Sequence, residues 1–170
     1  MWTPSVDKNK TMQRVGFGMD VHRLAPGETL FLGGILVPSD LGTVAHSDGD
    51  VLLHAICDAL LGAAKLGDIG SNFPDTSEEF KNIDSRILLA RTCRMITDRG
   101  WRIVNVDATL CLQHPKIRPF IAAMEEEMAG IMAITADQVS VKATTTEHLG
   151  YEGRREGVTA YAVVLLEKSE

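Results

Sequence analysis

The stretch "SDGDVLLHAICDALLGAAKLGD", Ser47–Asp68, decides the fold. From Val51 to Leu66 its apolar residues outrun any strand and occupy nearly every side of a helical cylinder, so the pattern predicts a helix that is mostly buried. Ser47, with Asp50 three residues on, reads as its N-cap, and Gly67 as its end. Three polar residues interrupt the apolar surface. Asp50, His54 and Asp58 are spaced by four and make a narrow stripe along one side.

Outward from this helix the signals are shorter. Upstream, Arg14–Val21 reads as a strand, and "TLFLGGILVP" (Thr29–Pro38) as two short strands meeting at Gly33-Gly34. Downstream, "GDIGSNFPDTSEEF" (Gly67–Phe80) has turn residues and little period, which predicts a loop, long enough for a lid, with at most one helical turn. Asp84–Asp98 is amphipathic and closes at Gly100, and Trp101–Leu112 alternates as a strand. Pro115 and Pro119 introduce a helix through Phe120–Met132, Thr135 starts a turn, and Gln138–Thr144 and Gly157–Lys168 are the last strands. The order predicts an α/β fold, an α+β sandwich with a ferredoxin-like mixed sheet and helices on one face.

At 170 residues, 45% hydrophobic and 24% charged, the chain fits one globular domain. Residues 1–13 are polar and without hydrophobic period, and are expected to be a disordered extension or expression scar, or less simply the remnant of a plastid-type transit peptide. The single domain is then 14–170. A formal net charge of −6 argues against a broad nucleic-acid surface and confines any phosphate binding to a local pocket. Cys57, Cys93 and Cys111 are far apart and odd in number, which suggests neither a disulfide framework nor a CxxC metal site. With no signal peptide core and no run long enough to cross a membrane, the expected location is the cytoplasm.

The chemistry begins with "DVH". Residues two apart on a strand face the same way, so Asp20 and His22 can converge on one ion. An open catalytic zinc site needs a third protein ligand, and His54 is the best candidate, with Asp58 as the carboxylate that orients it. Either histidine alone reads more readily as a satisfied polar residue than as a ligand. The three together favour a divalent cation, because a charged stripe on an apolar helix costs several kcal/mol unless compensated. His46 and Ser47 at the helix start could face an anion or merely cap the helix. "VKATTTEHLG" groups Lys142, three threonines and Glu147, a set that fits a phosphate with Mg²⁺, although threonine is common in strands.

These motifs, with "LGDIGSNFPDT", "NVDATL", "QHPKI" and "GYEGRREG", resemble the 2-C-methyl-D-erythritol 2,4-cyclodiphosphate synthase family from Arg14 to about Lys168, in order and spacing. The resemblance implies a homotrimeric enzyme, a phosphorus-oxygen lyase of the non-mevalonate isoprenoid pathway, with active sites between subunits. It implies zinc on Asp20, His22 and His54, and Mg²⁺ or Mn²⁺ on Glu147. The diphosphate and erythritol would meet Ser47, Asp68, Ile69 and Gly70, and the loop Phe73, Pro74, Asp75, Thr76 and Ser77. The cytidine would lie on Leu112, Gln113, His114, Pro115, Lys116, Ile117 and Arg118, and on Ala143, Thr144 and Thr145 of a neighbouring subunit. Tyr151 and Arg154 complete the binding set, and His46 and Thr145 would stabilise the transition state. The substrate would be 4-diphosphocytidyl-2-C-methyl-D-erythritol 2-phosphate, closed by attack of its 2-phosphate on the β-phosphorus with loss of CMP.

Three positions depart from the family pattern. Phe17 stands where histidine is usual, Met19 where phenylalanine is common, and Arg155 where a small residue is usual, beside Arg154 and Glu156. All bear on a central cavity that in the family can hold an isoprenoid diphosphate. Two rival readings use the same ligands: a phosphohydrolase with metal-bound hydroxide, and a binding module with a structural zinc.

Overall fold

The computed structural model describes residues 11–168. The expectation of a disordered 1–13 segment falls largely outside these residues, but its boundary moves. The first strand, β1 (Met12–Ala25), already includes Met12 and Gln13, which pair with Lys168 and Glu167. A small hairpin follows, β2 (Phe31–Leu32) and β3 (Ile35–Leu36), and then an unpredicted short strand, β4 (Gly42–Val44). The long apolar helix is α1 (Val51–Ala63).

Next come a single turn α2 (Ile69–Asn72), helix α3 (Ser85–Asp98), strand β5 (Arg102–Cys111) and helix α4 (Ile121–Met132). The chain ends with β6 (Val139–Thr144), a four-residue helix α5 (Gly150–Gly153) and β7 (Gly157–Lys168). The main sheet runs β4-β1-β7-β5-β6, antiparallel except for β5 with β6. The mixed sheet is as expected, but the ferredoxin-like label needs correcting. The β-α-β-β-α-β order of that fold does not occur, because α4 joins the parallel neighbours β5 and β6 while β7 inserts between β1 and β5.

Burial on β1 alternates with the pleat. Gly16 and Gly18 face α1, whereas Val15, Phe17, Met19 and Val21 stand exposed on the other side. The glycines are a steric requirement, since a Cβ on Gly16 would lie 1.9 Å from the Ala59 carbonyl oxygen and one on Gly18 2.0 Å from that of Ala55. Glycine on the strand and alanine on the helix therefore let α1 settle directly on the backbone of β1. Helix α1 also packs on β7, α3 covers α1, and α4 covers β6. The core of leucine, isoleucine, valine, alanine and methionine side chains lies between these layers.

The N-cap of α1 is Asp50, not Ser47. Its carboxylate accepts from the N–H groups of Leu52 and Leu53, and also from Gly33 and Gly34 in the hairpin turn at 2.9 and 2.6 Å. Four backbone donors satisfy the fully buried carboxylate that the polar stripe predicted. Among the described residues no helix is long and apolar enough to cross a membrane.

Candidate active site

Seating α1 on β1 brings its one histidine beside the strand pair. Asp20 Oδ2 lies 3.1 Å from His22 Nε2 and 3.1 Å from His54 Nδ1, and the two ring nitrogens are 3.2 Å apart. Such a triangle approximates one face of a tetrahedron whose edges are about 3.3 Å for zinc bonds near 2.0 Å. The oxygen and two imidazole nitrogens are the donor set that zinc prefers, and no fourth side chain joins the group among the described residues. The arrangement fits an open metal site.

A tautomer argument supports this. Ser85 Oγ donates its one proton to Asp48 Oδ1 at 2.5 Å, so at 2.8 Å it accepts from His54 Nε2–H. In the neutral ring, Nδ1 then carries the lone pair and aims it at the Asp20–His22 corner. Ser47 Oγ lies 3.3 Å from the same Nε2. Asp58 does not have its expected role. Its carboxylate turns away from the ring and accepts from Ile69 N–H at 2.7 Å, anchoring the start of α2. The orienting pair is Asp48 and Ser85, which sequence reasoning missed because Ser85 comes from the first turn of α3, beyond the reach of any helical period in α1.

The charges agree with this geometry. Burial pushes the Asp20 carboxyl up, but the hydrogen bonds and positive potential of His22 and His54 outweigh it and hold the group well below the usual carboxylate range. Burial pulls His54 down, yet Asp20, with Asp50 and Asp48 behind it, carries it above its ordinary value.

A cavity of about 300 Å³ opens beside the triad. His46, Ser47, Ile69, Gly70, Phe73 and Asp75 line it, and Phe80, Ile83 and Leu88 add an apolar wall. Asp68 caps α2, while Pro74, Thr76 and Ser77 stand outside the lining. The segment forms the one helical turn expected, α2, with a further short turn at Glu78–Phe80, and Phe73 packs edge-on against Phe80.

The remaining candidates gather elsewhere. Leu112–Arg118 follows β5, with a cis His114–Pro115 bond, and Leu112 N–H pairs with Thr144 at the end of β6. Leu112 and Ile117 are buried in the core, so their side chains are unavailable to a ligand. Thr145 Oγ1 donates to Glu147 Oε1 at 2.8 Å, and Gln113 accepts from His148 N–H. Lys142 is not part of this cluster, because it pairs with Asp107 on the open face of the sheet. Arg154 pairs with Glu156, whereas Arg155 turns away to Asp40. β7 stands between β1, which carries Asp20 and His22, and the ends of β5 and β6 from which Leu112–Arg118 and Thr145–Glu147 extend.

A family model, described as the YgbB family, matches residues 13–167. The chain belongs to the YgbB family. A relative from Phocaeicola vulgatus, a 2-C-methyl-D-erythritol 2,4-cyclodiphosphate synthase, is 59% identical over 92% of this chain and 98% of its own length. Among solved YgbB-like structures, a 2C-methyl-D-erythritol-2,4-cyclodiphosphate synthase in its CDP-bound form superimposes with a TM-score of 0.84 at 39% identity, covering 90% of this chain and 99% of that one. The bifunctional IspDF of Campylobacter jejuni gives 0.90 at 40% identity, with 94% of this chain aligned to 43% of that longer protein.

Proposed function

We propose that this chain converts 4-diphosphocytidyl-2-C-methyl-D-erythritol 2-phosphate to 2-C-methyl-D-erythritol 2,4-cyclodiphosphate and CMP. The observation that carries the reading is the convergence of Asp20, His22 and His54 beside a cavity in a chain so close to named synthases. In this reaction an oxygen of the 2-phosphate bonds to the β-phosphorus as the bond from that phosphorus to the CMP oxygen breaks. CMP leaves with the oxygen, no water is consumed, and the enzyme is a phosphorus-oxygen lyase.

Zinc on Asp20, His22 and His54, and Mg²⁺ or Mn²⁺ on Glu147, would supply Lewis acids that draw charge from the phosphate oxygens. The protein's own part is positioning and exclusion of water. Ser85 and Asp48 fix the His54 ring, and Phe73, Phe80, Ile83 and Leu88 dry the cavity so that the internal phosphate outcompetes water. His46 on the cavity wall, with Thr145, meets the charge that builds on the transferring phosphoryl group.

The assembly that supports this chemistry is a homotrimer with each site shared between neighbours. Two features favour it. Val15, Phe17 and Met19 form an exposed apolar stripe, Val15 and Phe17 being 69% and 63% exposed, the kind of contiguous apolar surface that marks an interaction site. The candidate metal ligands and Glu147 also extend from different strands, β1 and β6, which β7 and β5 separate in the sheet. An isoprenoid diphosphate in the central cavity belongs to the same proposal, with Arg154 as its cation and Arg155, tied to Asp40, withdrawn from it.

The test is ³¹P NMR of products from the substrate, Mg²⁺ and the zinc-loaded protein, beside His54→Ala. Cyclic diphosphate and CMP from the parent but not the variant are expected. An open-chain phosphate product would establish the hydrolase instead, and no turnover by folded, zinc-loaded protein would leave the binding module.

A further inference from the structure

Helix α5 rests on β7 through a buried polar contact that the proposed reaction does not use. Glu152, 9% exposed, accepts from Thr159 Oγ1 at 2.8 Å, and the same hydroxyl oxygen lies 2.6 Å from Tyr151 Oη. A threonine hydroxyl has one proton to give. Donated to Glu152, it leaves Thr159 only as acceptor toward Tyr151, so the phenol donates inward and the relay has one direction, Tyr151 to Thr159 to Glu152. Thr159 is itself fully buried in β7, between Val21 of β1 and Cys111 of β5.

What stands on α5 is the segment 145–149. Gly153 N–H donates to the Leu149 carbonyl at 3.1 Å, and Leu149 N–H to that of Thr146 at 2.9 Å. A Cβ on Gly153 would fall 2.2 Å from the carbonyl carbon of His148, so helix and segment touch backbone to backbone. Glu147 and His148 are both held at left-handed φ values of 54° and 64°, a conformation that is strained for a non-glycine residue and persists only when its surroundings impose it.

We propose that Glu152 and Thr159 are positioning residues: by pinning Tyr151 and α5 to β7, they hold Glu147 and Thr145 in the conformation that receives the divalent cation of the substrate diphosphate. This rests on the function proposed above for Glu147. The carboxyl of Glu152 supports it. Burial pushes that group up, but the Thr159 hydroxyl and a backbone N–H outweigh burial and keep it below the ordinary glutamate range, ionised as the relay requires.

The experiment compares Thr159→Val, which keeps the shape and removes both hydrogen bonds, with Thr159→Ser, which restores them. Hydrogen–deuterium exchange of residues 145–153 is read on the protein alone. Mn²⁺ affinity is read by EPR with CDP present, and Mg²⁺ half-saturation by turnover. Thr159→Val should speed exchange in 145–153 but not in α1, and weaken Mn²⁺ and Mg²⁺ about tenfold, within the range for outer-shell losses. Its zinc content should stay within about twofold, and Thr159→Ser should recover the cation affinity. Unchanged exchange, or faster exchange with unchanged Mn²⁺ affinity, overturns the proposal, as does a parent that binds no Mn²⁺. If the parent binds Mn²⁺ but forms no cyclic product, the functional reading fails, while the exchange and EPR results still decide the role of the relay.

Discussion

At the scale of single residues, the metal corner depends on a proton as much as on its ligands. Ser85 fixes which nitrogen of His54 carries hydrogen, so Ser85→Ala should lower zinc affinity about tenfold without removing a ligand, measured by competition with a chelator. Melting of the zinc-free protein tests the electrostatics. Asp20 is held below its ordinary 3.8, so its stabilisation is full above that value and lost as pH falls through the lower folded-state value. His54 is held above 6.5, so its share is full below that value and lost as pH rises through the higher folded-state value. Tm should therefore be highest between these limits, and His54→Gln should flatten the alkaline limb. The candidate ligand group was legible in the sequence because strand and helix periods are local. Asp58 misled for the same reason: at i+4 from His54 it had the right spacing, but Ile69 N–H offered it a nearer partner.

At the scale of elements, the site's dimensions come from the seam of Gly16 and Gly18 against Ala55 and Ala59. Gly18→Ala should cost about 2–3 kcal/mol by overpacking and, by lifting α1, reduce zinc content in the protein that still folds. Urea unfolding and metal analysis would show both. Elements with long periods, α1, α3, α4, β5 and β7, were visible in the sequence. β4 and α5, three and four residues long, were not, because their stability lies in contacts with distant segments. The relay beneath α5 was hidden too, since Thr159 looks like any strand threonine until Tyr151 and Glu152 fold back on it.

At the scale of the whole molecule, the bare face of the sheet and the divided site make one expectation. Phe17→Glu places charge in the apolar stripe and should convert the proposed trimer to monomers, read by light scattering, with loss of turnover. Two inactive variants, His54→Ala and Glu147→Ala, refolded together in equal amounts, should regain activity at about a quarter of their sites if each site draws on two neighbouring copies of a cyclic trimer. No regain would place each site within one chain. The sequence suggests this proposed division only through family resemblance, since nothing local in a chain marks a face it would share with copies of itself.

Asp50 joins two parts of the chain that could otherwise come apart independently. Its one carboxylate holds the hairpin turn at Gly33 and Gly34 and the first turn of α1. Neither can open without orphaning donors in the other, so the amide protons of Gly33, Gly34, Leu52 and Leu53 should be released in one shared opening event rather than two. The segment that carries His54 then gains the lifetime of the larger cooperative unit, and the metal corner is as long-lived as the core behind it.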